Sequence, residues 1–435
     1  VFFRIALLMI SNYQQAIDFL YRQLPMFQRV GAVAYKKDLT NTLRLCEVLG
    51  NPQTKLKCVH IAGTNGKGSS SHMLASILQD AGFKTGLYTS PHLRHFTERI
   101  RMDGIPVAPA FVTDFVQRMQ SAIKQIQPSF FELTVAMALH YFEQHAVDVA
   151  VIETGLGGRL DSTNVITPEV SLITNIGWDH MDLLGDTLPA IAGEKAGIIK
   201  PHIPVVISER QAAVEHVFEE CATVRKAPLT FASDVYTASL RDSELDIYRH
   251  GSLQHKISDF PLLGAYQQKN VVGVLMTVDV LRSRGWAIHD DNMTRGLQRV
   301  ILNTGLKGRW QVLGSRPLVV CDTGHNADGL REVVSQIKKQ RFKKLFMVVG
   351  MVKDKDITKS LAELPRQAHY VFCQAQLPRA LPAAELANAA SAFGLVGEVC
   401  PAVNKALARA RQQAEEEDMI FVGGSTFVVA ELEQL

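Results

Sequence analysis

The stretch Val59-His-Ile-Ala-Gly-Thr-Asn-Gly-Lys-Gly-Ser69 constrains this chain more than any other. Lys57 to Ile61 has the composition of a buried strand. Gly63, Gly66 and Gly68 then permit a turn with positive φ and the close approach of another backbone or a ligand. From Gly66 onward Met73, Ile77, Leu78 and Ala81 recur at helical spacing, and Gly82 stops the helix. Such a strand–turn–helix leaves free N–H groups converging on one spot, where the helix dipole favours an anion. Lys67 adds a fixed positive charge, and Ser69 a hydroxyl suited to Mg²⁺. Gly63, Thr64, Asn65, Gly66, Lys67, Gly68 and Ser69 therefore read as a phosphate cradle. The strict pattern G-x-x-x-x-G-K-[ST] does not fit, because Ile61 and Gly68 stand where a glycine and a hydroxyl residue belong. A plain structural turn is the competing reading.

The chain of 435 residues is too long for one small core and points to about two or three domains. A net charge of +3 is no footprint for nucleic acid or for a polybasic membrane contact. Six scattered cysteines without a C-x-x-C pair argue for reduced thiols in a cytoplasmic protein. The apolar start, Val1 to Ile10, is too short to span a bilayer. Residues 1–8 are expected to be an extension ahead of Met9.

Chemistry-bearing residues gather after predicted strands, where open α/β sheets bind ligands. Thr85 to Tyr88 runs into Thr89-Ser-Pro-His92, with Ser90 held in a proline turn. Val147 to Ile152 suits a central parallel strand and ends at Glu153, well placed to ligate Mg²⁺. Val170 to Thr174 leads to Asn175-Ile-Gly-Trp-Asp-His180. A lone histidine is usually structural, but beside Ser90 and Glu153 a metal or phosphate role for His180 gains weight. Lys195 sits among small and apolar neighbours; a surface lysine is the plain reading, and burial would make its amine nucleophilic. Helices are expected over 111–126 and from Phe130 through Phe142, where Glu132 beside two phenylalanines either complements the dipole or lines a pocket. Segments 236–240, 245–248 and 253–257 predict a small antiparallel sheet. The pattern restarts around Asn303 to Arg309, which predicts domains 1–303 and 304–435. The second repeats strand–helix units, most simply a parallel doubly wound sheet.

Gly63-Thr-Asn-Gly-Lys-Gly-Ser69, Tyr88-Thr-Ser-Pro-His-Leu93, Glu153-Thr-Gly-Leu-Gly-Gly-Arg-Leu-Asp-Ser-Thr-Asn164 and Gly193-Glu-Lys-Ala-Gly-Ile198 follow one another in order. With Gly264…Gln267…Asn270, Asp322…His325-Asn326 and Gly423-Gly-Ser425, this set resembles the folylpolyglutamate synthase/dihydrofolate synthase branch of the Mur ligase superfamily. The resemblance implies a P-loop-type, mostly parallel central domain with a small antiparallel subsheet, and a smaller Rossmann-like α/β C-terminal domain. It implies an ATP-dependent carboxylate–amine ligase adding L-glutamate to dihydropteroate, to tetrahydrofolate glutamates, or to both, through an acyl phosphate.

By the same resemblance, Ser90, Glu153 and His180 ligate Mg²⁺, and Lys195 is carbamylated and serves a second Mg²⁺. Lys67, Lys195 and His325 act in catalysis. The cradle residues, Asn270, Arg309 and Asp322 contact ATP. Arg29, Val30, Gly31, Ala32, Ser129, Phe130, Phe131, Glu132, Leu160, Asp161 and Ser162 contact the pterin acceptor. Tyr266 stands where the family usually has histidine, and the turn Asp322-Thr-Gly-His-Asn-Ala327 departs from the family's Asp-Gly-Ala-His-Asn-Pro. The implied partners are small molecules, without nucleic acid or membrane, and the implied state is a monomer. A cell-wall Mur ligase and a nucleotide-binding regulator without catalysis are the rival readings.

Overall fold

The computed structural model describes residues 9–26, 38–353 and 357–435. The expected contacts at Arg29, Val30, Gly31 and Ala32 lie outside the described residues. Among the described residues the first sheet has eight strands: β1 (Cys58–Ala62), β2 (Thr85–Tyr88), β3 (Ile100–Met102), β4 (Ile105–Pro106), β5 (Val149–Glu153), β6 (Val170–Ile173), β7 (Val205–Ile207) and β8 (Leu229–Phe231). Their spatial order is β4-β3-β2-β5-β1-β6-β7-β8. The pairs β2–β5, β5–β1, β1–β6, β6–β7 and β7–β8 are parallel.

The central strand β5 is buried throughout because both of its faces are covered by helices. Ala150 and Ile152 join the core under Pro109–Ile126 and Phe130–Gln144, while Val149 and Val151 join the core under Lys67–Asp80 and Gln267–Ser283. The run has no polar alternation for that reason. β9 (Tyr236–Arg241), β10 (Glu244–Arg249) and β11 (Ser252–Ile257) form the expected antiparallel subsheet.

The third sheet contains β12 (Gln311–Ser315), β13 (Leu318–Cys321), β14 (Leu345–Val349), β15 (His369–Gln374), β16 (Gly397–Ala402) and β17 (Met419–Gly423), in the order β12-β13-β17-β14-β15-β16. It departs from the wholly parallel expectation at one edge, where β12 runs antiparallel to β13. Only Arg316 and Pro317 separate the two strands, and so short a link closes only an antiparallel pair. The first sheet ends the same way. β3 and β4 form a hairpin through Asp103 (φ 48°) and Gly104 (φ 78°), which accommodates the left-handed backbone a two-residue turn requires.

The parallel registers bring the carboxyl ends of β1, β2, β5 and β6 to one edge of the first sheet. The loop after β13 faces that edge from the third sheet, since Asn326 of that loop is hydrogen-bonded to Asn65 of the cradle. Among the described residues no helix is long and apolar enough to cross a membrane.

Candidate active site

The cradle forms as its glycines suggest, and contact as well as φ demands them. A Cβ on Gly63 (φ 146°) would lie 1.8 Å from Thr174 Oγ1, and one on Gly66 (φ 87°) 2.2 Å from Asn270 Oδ1. Gly66 caps the helix Lys67–Asp80. The loop is pinned to the end of β6: the Asn65 amide donates to Asn175 Oδ1 (2.9 Å), and Thr174 Oγ1 donates to the Asn65 carbonyl (2.6 Å).

Two ammonium groups converge on one carbonyl here. Lys67 Nζ donates to Gly63 O (3.0 Å) and Thr64 O (3.2 Å), and Lys195 Nζ donates to the same Gly63 O (2.9 Å). Lys195 is buried at 4% exposure, which overturns its plain reading as a surface lysine. Burial, reinforced by the Lys67 charge, pushes its pKa down to about 7 against the pull of Asp179 and Asp161. The amine is then substantially neutral, and so nucleophilic, at neutral pH.

Glu153, also 4% exposed, ends β5 beside the cradle. Burial pushes its carboxyl up to about 7, although Lys67, Arg309, the Ser90 N–H and Arg99 all favour the anion. A Cβ on Gly68 would lie 3.4 Å from Arg309 Nη2 and 3.7 Å from Glu153 Oε2. A side chain at position 68 would therefore project toward both groups, which accounts for glycine where the strict P-loop has a hydroxyl.

Asp179 stands where the two domains' loops meet. His180 Nε2 lies 3.8 Å from its Oδ1, and His325 Nε2 lies 3.7 Å from its Oδ2. His180 adopts φ 51° as it caps Met181–Leu184, and His325 Nδ1 contacts Thr323 O at 3.0 Å. Asp322 is fully engaged. Its Oδ2 accepts from Tyr266 Oη (2.5 Å) and the Trp310 amide (2.6 Å), and its Oδ1 from the Gly324 amide (2.7 Å). Tyr266, in the place of the family's histidine, thus ties the helix Gln267–Ser283 to the third sheet. Arg309 donates to Gly308 O and to Thr323 Oγ1.

The expected acceptor residues divide in two. Ser129 and Glu132 form a capping box on Phe130–Gln144: the Ser129 amide donates to Glu132 Oε2 (2.6 Å), and the Glu132 amide donates to Ser129 Oγ (3.2 Å). Glu132 Oε1 is buried without a partner. Phe131 lies over Gly155, where a Cβ would come within 2.4 Å of the ring. Leu160 and Ser162 also border the cavity. Phe130 is packed instead among Tyr21, Phe96 and the Arg99 guanidinium. Asp161 has its carboxylate turned inward. Oδ1 accepts from the Thr163 amide and hydroxyl, and Oδ2 from the Gly155 and Leu156 amides. It staples the loop that carries Leu160 and Ser162.

All the described candidate residues border one cavity of about 950 Å³. Three residues of this cavity escape a reading of the sequence. Arg99, 2% exposed, donates from Nε to His92 Nδ1 (2.7 Å) and lies over the Phe130 ring. In the sequence it belongs to Glu98-Arg-Ile-Arg101, which reads as a solvated alternation. Asp179 and Asn175 hide in an ordinary polar turn. Among the described residues no three of His, Cys, Asp and Glu come together as a metal site. Ser90, Glu153 and His180 all border the cavity, and their oxygen and nitrogen donors, with the carboxylate buried, are of the kind a divalent cation takes.

Residues 61–278 match the Mur ligase middle domain, and residues 308–426 the Mur ligase glutamate ligase domain. The dihydrofolate synthase/folylpolyglutamate synthase of Bacillus subtilis is 34% identical over 88% of this chain and 89% of its own length. The probable bifunctional folylpolyglutamate synthase/dihydropteroate synthase of Haloferax volcanii is 33% identical over 97% of this chain, which spans about half (50%) of that relative's length. Two solved structures, each 28% identical, superpose over 97% of the chain. Escherichia coli FolC in complex with DHPP and ADP does so over 96% of its own chain with a TM-score of 0.85. The Yersinia pestis folylpolyglutamate synthase/dihydrofolate synthase with AMPPNP and Mn ion does so over 97% with a TM-score of 0.82. On this evidence the chain belongs to the folylpolyglutamate synthase/dihydrofolate synthase family of Mur ligases, the ATP-dependent acid–amino-acid ligases.

Proposed function

We propose that this protein adds L-glutamate both to dihydropteroate and to tetrahydrofolates that already carry glutamate. The observation that carries the reading is the convergence of Lys67, Lys195 and Glu153 on the cradle, inside a cavity also lined by Phe131 and Glu132. Residues 1–303 form the nucleotide-binding domain in this reading, and 304–435 the domain that closes on it.

The cradle amides and Lys67 bind the phosphates of ATP, with Asn270, Arg309 and Asp322 on the nucleotide's other side. Ser90, Glu153 and His180 hold a divalent cation, which neutralises charge on the transferring phosphoryl group when bound. Lys195, with its amine pushed down to about 7, would take up carbon dioxide as a carbamate with release of one proton, and that anion would serve to hold a second divalent cation. The acceptor carboxylate attacks the γ-phosphate, ADP leaves, and an acyl phosphate results. The glutamate amine then attacks the acyl carbon, phosphate departs and an amide bond remains. Lys67, Arg309 and the helix start stabilise the charge that develops; this is positioning and electrostatics. His325 lies beside Asp179 on the closing side, where the domains exclude water from the acyl phosphate.

Glu132 Oε1, buried without a donor, suits an N–H of a pterin ring. ATP turnover with dihydropteroate and with tetrahydrofolate, each with L-glutamate and Mg²⁺, tests the proposal. ADP formation with both acceptors is expected. ADP with neither sinks it, and ADP with one alone removes the dual activity.

A further inference from the structure

Arg101 on β3 borders the same cavity, near His72 of the helix Lys67–Asp80. It is only 8% exposed. Its Nη1 donates to Gly104 O (3.2 Å), and its Nε is buried without any partner. The acid whose charge acts on it, Glu98, already accepts from the amides of Leu93, Arg94 and His95. The interdomain link closes over it: a Cβ on Gly305 would lie 3.4 Å from Arg101 Nη1.

Its neighbours are also unsatisfied by acids. His72, one turn beyond Gly68, is 6% exposed, and its Nδ1 is buried without a partner. Burial, with Arg101 and Arg309 nearby, pushes its pKa down to about 3, so the ring is neutral. A guanidinium buried without an anion is unfavourable. Its planar fork matches a carboxylate, and a bidentate pair would remove that penalty.

We propose that Arg101, with His72 near it, forms an anion subsite of the cavity that takes a carboxylate of a glutamyl unit. The inference rests on the ligase reading above. The carboxylate comes either from the incoming L-glutamate or from the glutamyl tail of the acceptor.

The test compares wild type with Arg101→Met, which keeps bulk and removes charge. Steady-state kinetics with dihydropteroate, which has no glutamyl tail, and with a tetrahydropteroyl triglutamate separate the two sources. A rise of about tenfold or more in KM for L-glutamate with both acceptors supports the subsite and assigns it to the incoming amino acid. The same rise in KM for the triglutamate alone supports it and assigns it to the tail. In both cases KM for ATP stays within about twofold. A KM for ATP that rises as much, or no change in either glutamyl KM, overturns the proposal. Should the methionine variant not fold, Arg101→Lys keeps a cation without the fork and shifts the same KM by a smaller factor.

A binding measurement separates failure of the subsite from failure of the ligase reading. Glutarate, a dicarboxylate without an amine, is expected to raise the melting temperature of wild type and not of Arg101→Met, whether or not either acceptor is ligated. An equal shift in both proteins, or none in wild type, overturns the subsite.

Discussion

Glu153 and Asp322 occupy equivalent places in two different sheets. One is the last residue of β5, the other follows β13, and both are nearly inaccessible at 4% and 3% exposure. Burial raises the pKa of each. The difference lies in their donors. Tyr266, Trp310 and Gly324 all donate to Asp322, whereas the hydrogen bond acting on Glu153 is the Ser90 N–H. Asp322, with three donors drawn from both domains, joins the two domains as well as lining the cavity. A buried acid with fewer donors keeps oxygens open to a ligand, and in the proposed function that ligand is a divalent cation.

Substitutions around the two acids are expected to differ widely in effect. The largest concerns Lys195, which shares Gly63 O with Lys67 on the Glu153 side. Lys195→Ala is expected to lower kcat by about 10²–10³-fold, the scale of removing one transition-state stabiliser. Added short carboxylates are expected to restore part of it, and full activity without them would take Lys195 out of the site. Glu153→Gln is expected to lower kcat by about 10²-fold or more and to weaken activation by Mg²⁺, read from a metal titration.

Stability then separates the two acids. Asp322→Ala strands the donors of Tyr266, Trp310 and Gly324 and is expected to cost about 1–3 kcal/mol or more in a denaturant titration. Glu153→Gln leaves stability unchanged or improved, because it removes a poorly satisfied buried acid. Equal losses would erase the distinction.

A smaller effect lies at the domain contact. Asn326 caps Ala327–Ile337 through Gly329 and exchanges two hydrogen bonds with the Asn65 side chain, at 3.0 and 3.3 Å. Asn326→Ser keeps a good cap and loses the exchange. A fall in kcat of about 2- to 10-fold is expected, with nucleotide affinity within twofold. Tighter coupling to nucleotide binding would show that the pair serves the cradle itself.

Near neutral pH the least of these effects is a pH dependence of stability. Burial pushes the pKa of His60, 0% exposed on β1, down to about 3 from an ordinary 6.5. Folded, it stays neutral while the unfolded chain takes a proton, so stability is intact above pH 6.5 and is lost progressively from there toward pH 3. The loss for this one residue is about 1.4 kcal/mol at pH 5.5. Glu153 acts with the opposite sign, since its raised carboxyl protonates first in the folded state as pH falls below about 7. Thermal melts of His60→Asn against its parent, both in the Glu153→Gln background, should show the shallower acid slope in the variant.

Sequence reading reached the elements whose causes are local. The cradle turn, the capped helix from Phe130, the strand ending at Glu153 and the hairpin subsheet each follow from spacing, glycine and capping residues within one window. The ordered motifs pointed to the ligase family because they name residue types at strand ends, and parallel sheets bring those ends together. The antiparallel edges of both large sheets were less legible, although Asp103-Gly104 and the short link at Arg316-Pro317 are local signals that a parallel reading passes over.

What the sequence could not specify is which charges meet. Lys195 reads as a surface lysine until β1 and the helix Leu188–Ala196 bring its amine to Gly63 O. Asp161 gives no sign in the sequence that four donors of its own loop will occupy its oxygens. Nothing in the sequence singles out Arg99 and Arg101, which the fold buries to 2% and 8% exposure. The strand–turn–helix of Gly63 to Ser69 is determined by sequence alone, because its dihedral and contact demands are short-range. Burial is a sum over distant neighbours, and it sets the protonation of Lys195 and Glu153. Only the tertiary structure therefore decides which residues around the cradle act as acid, base or ligand.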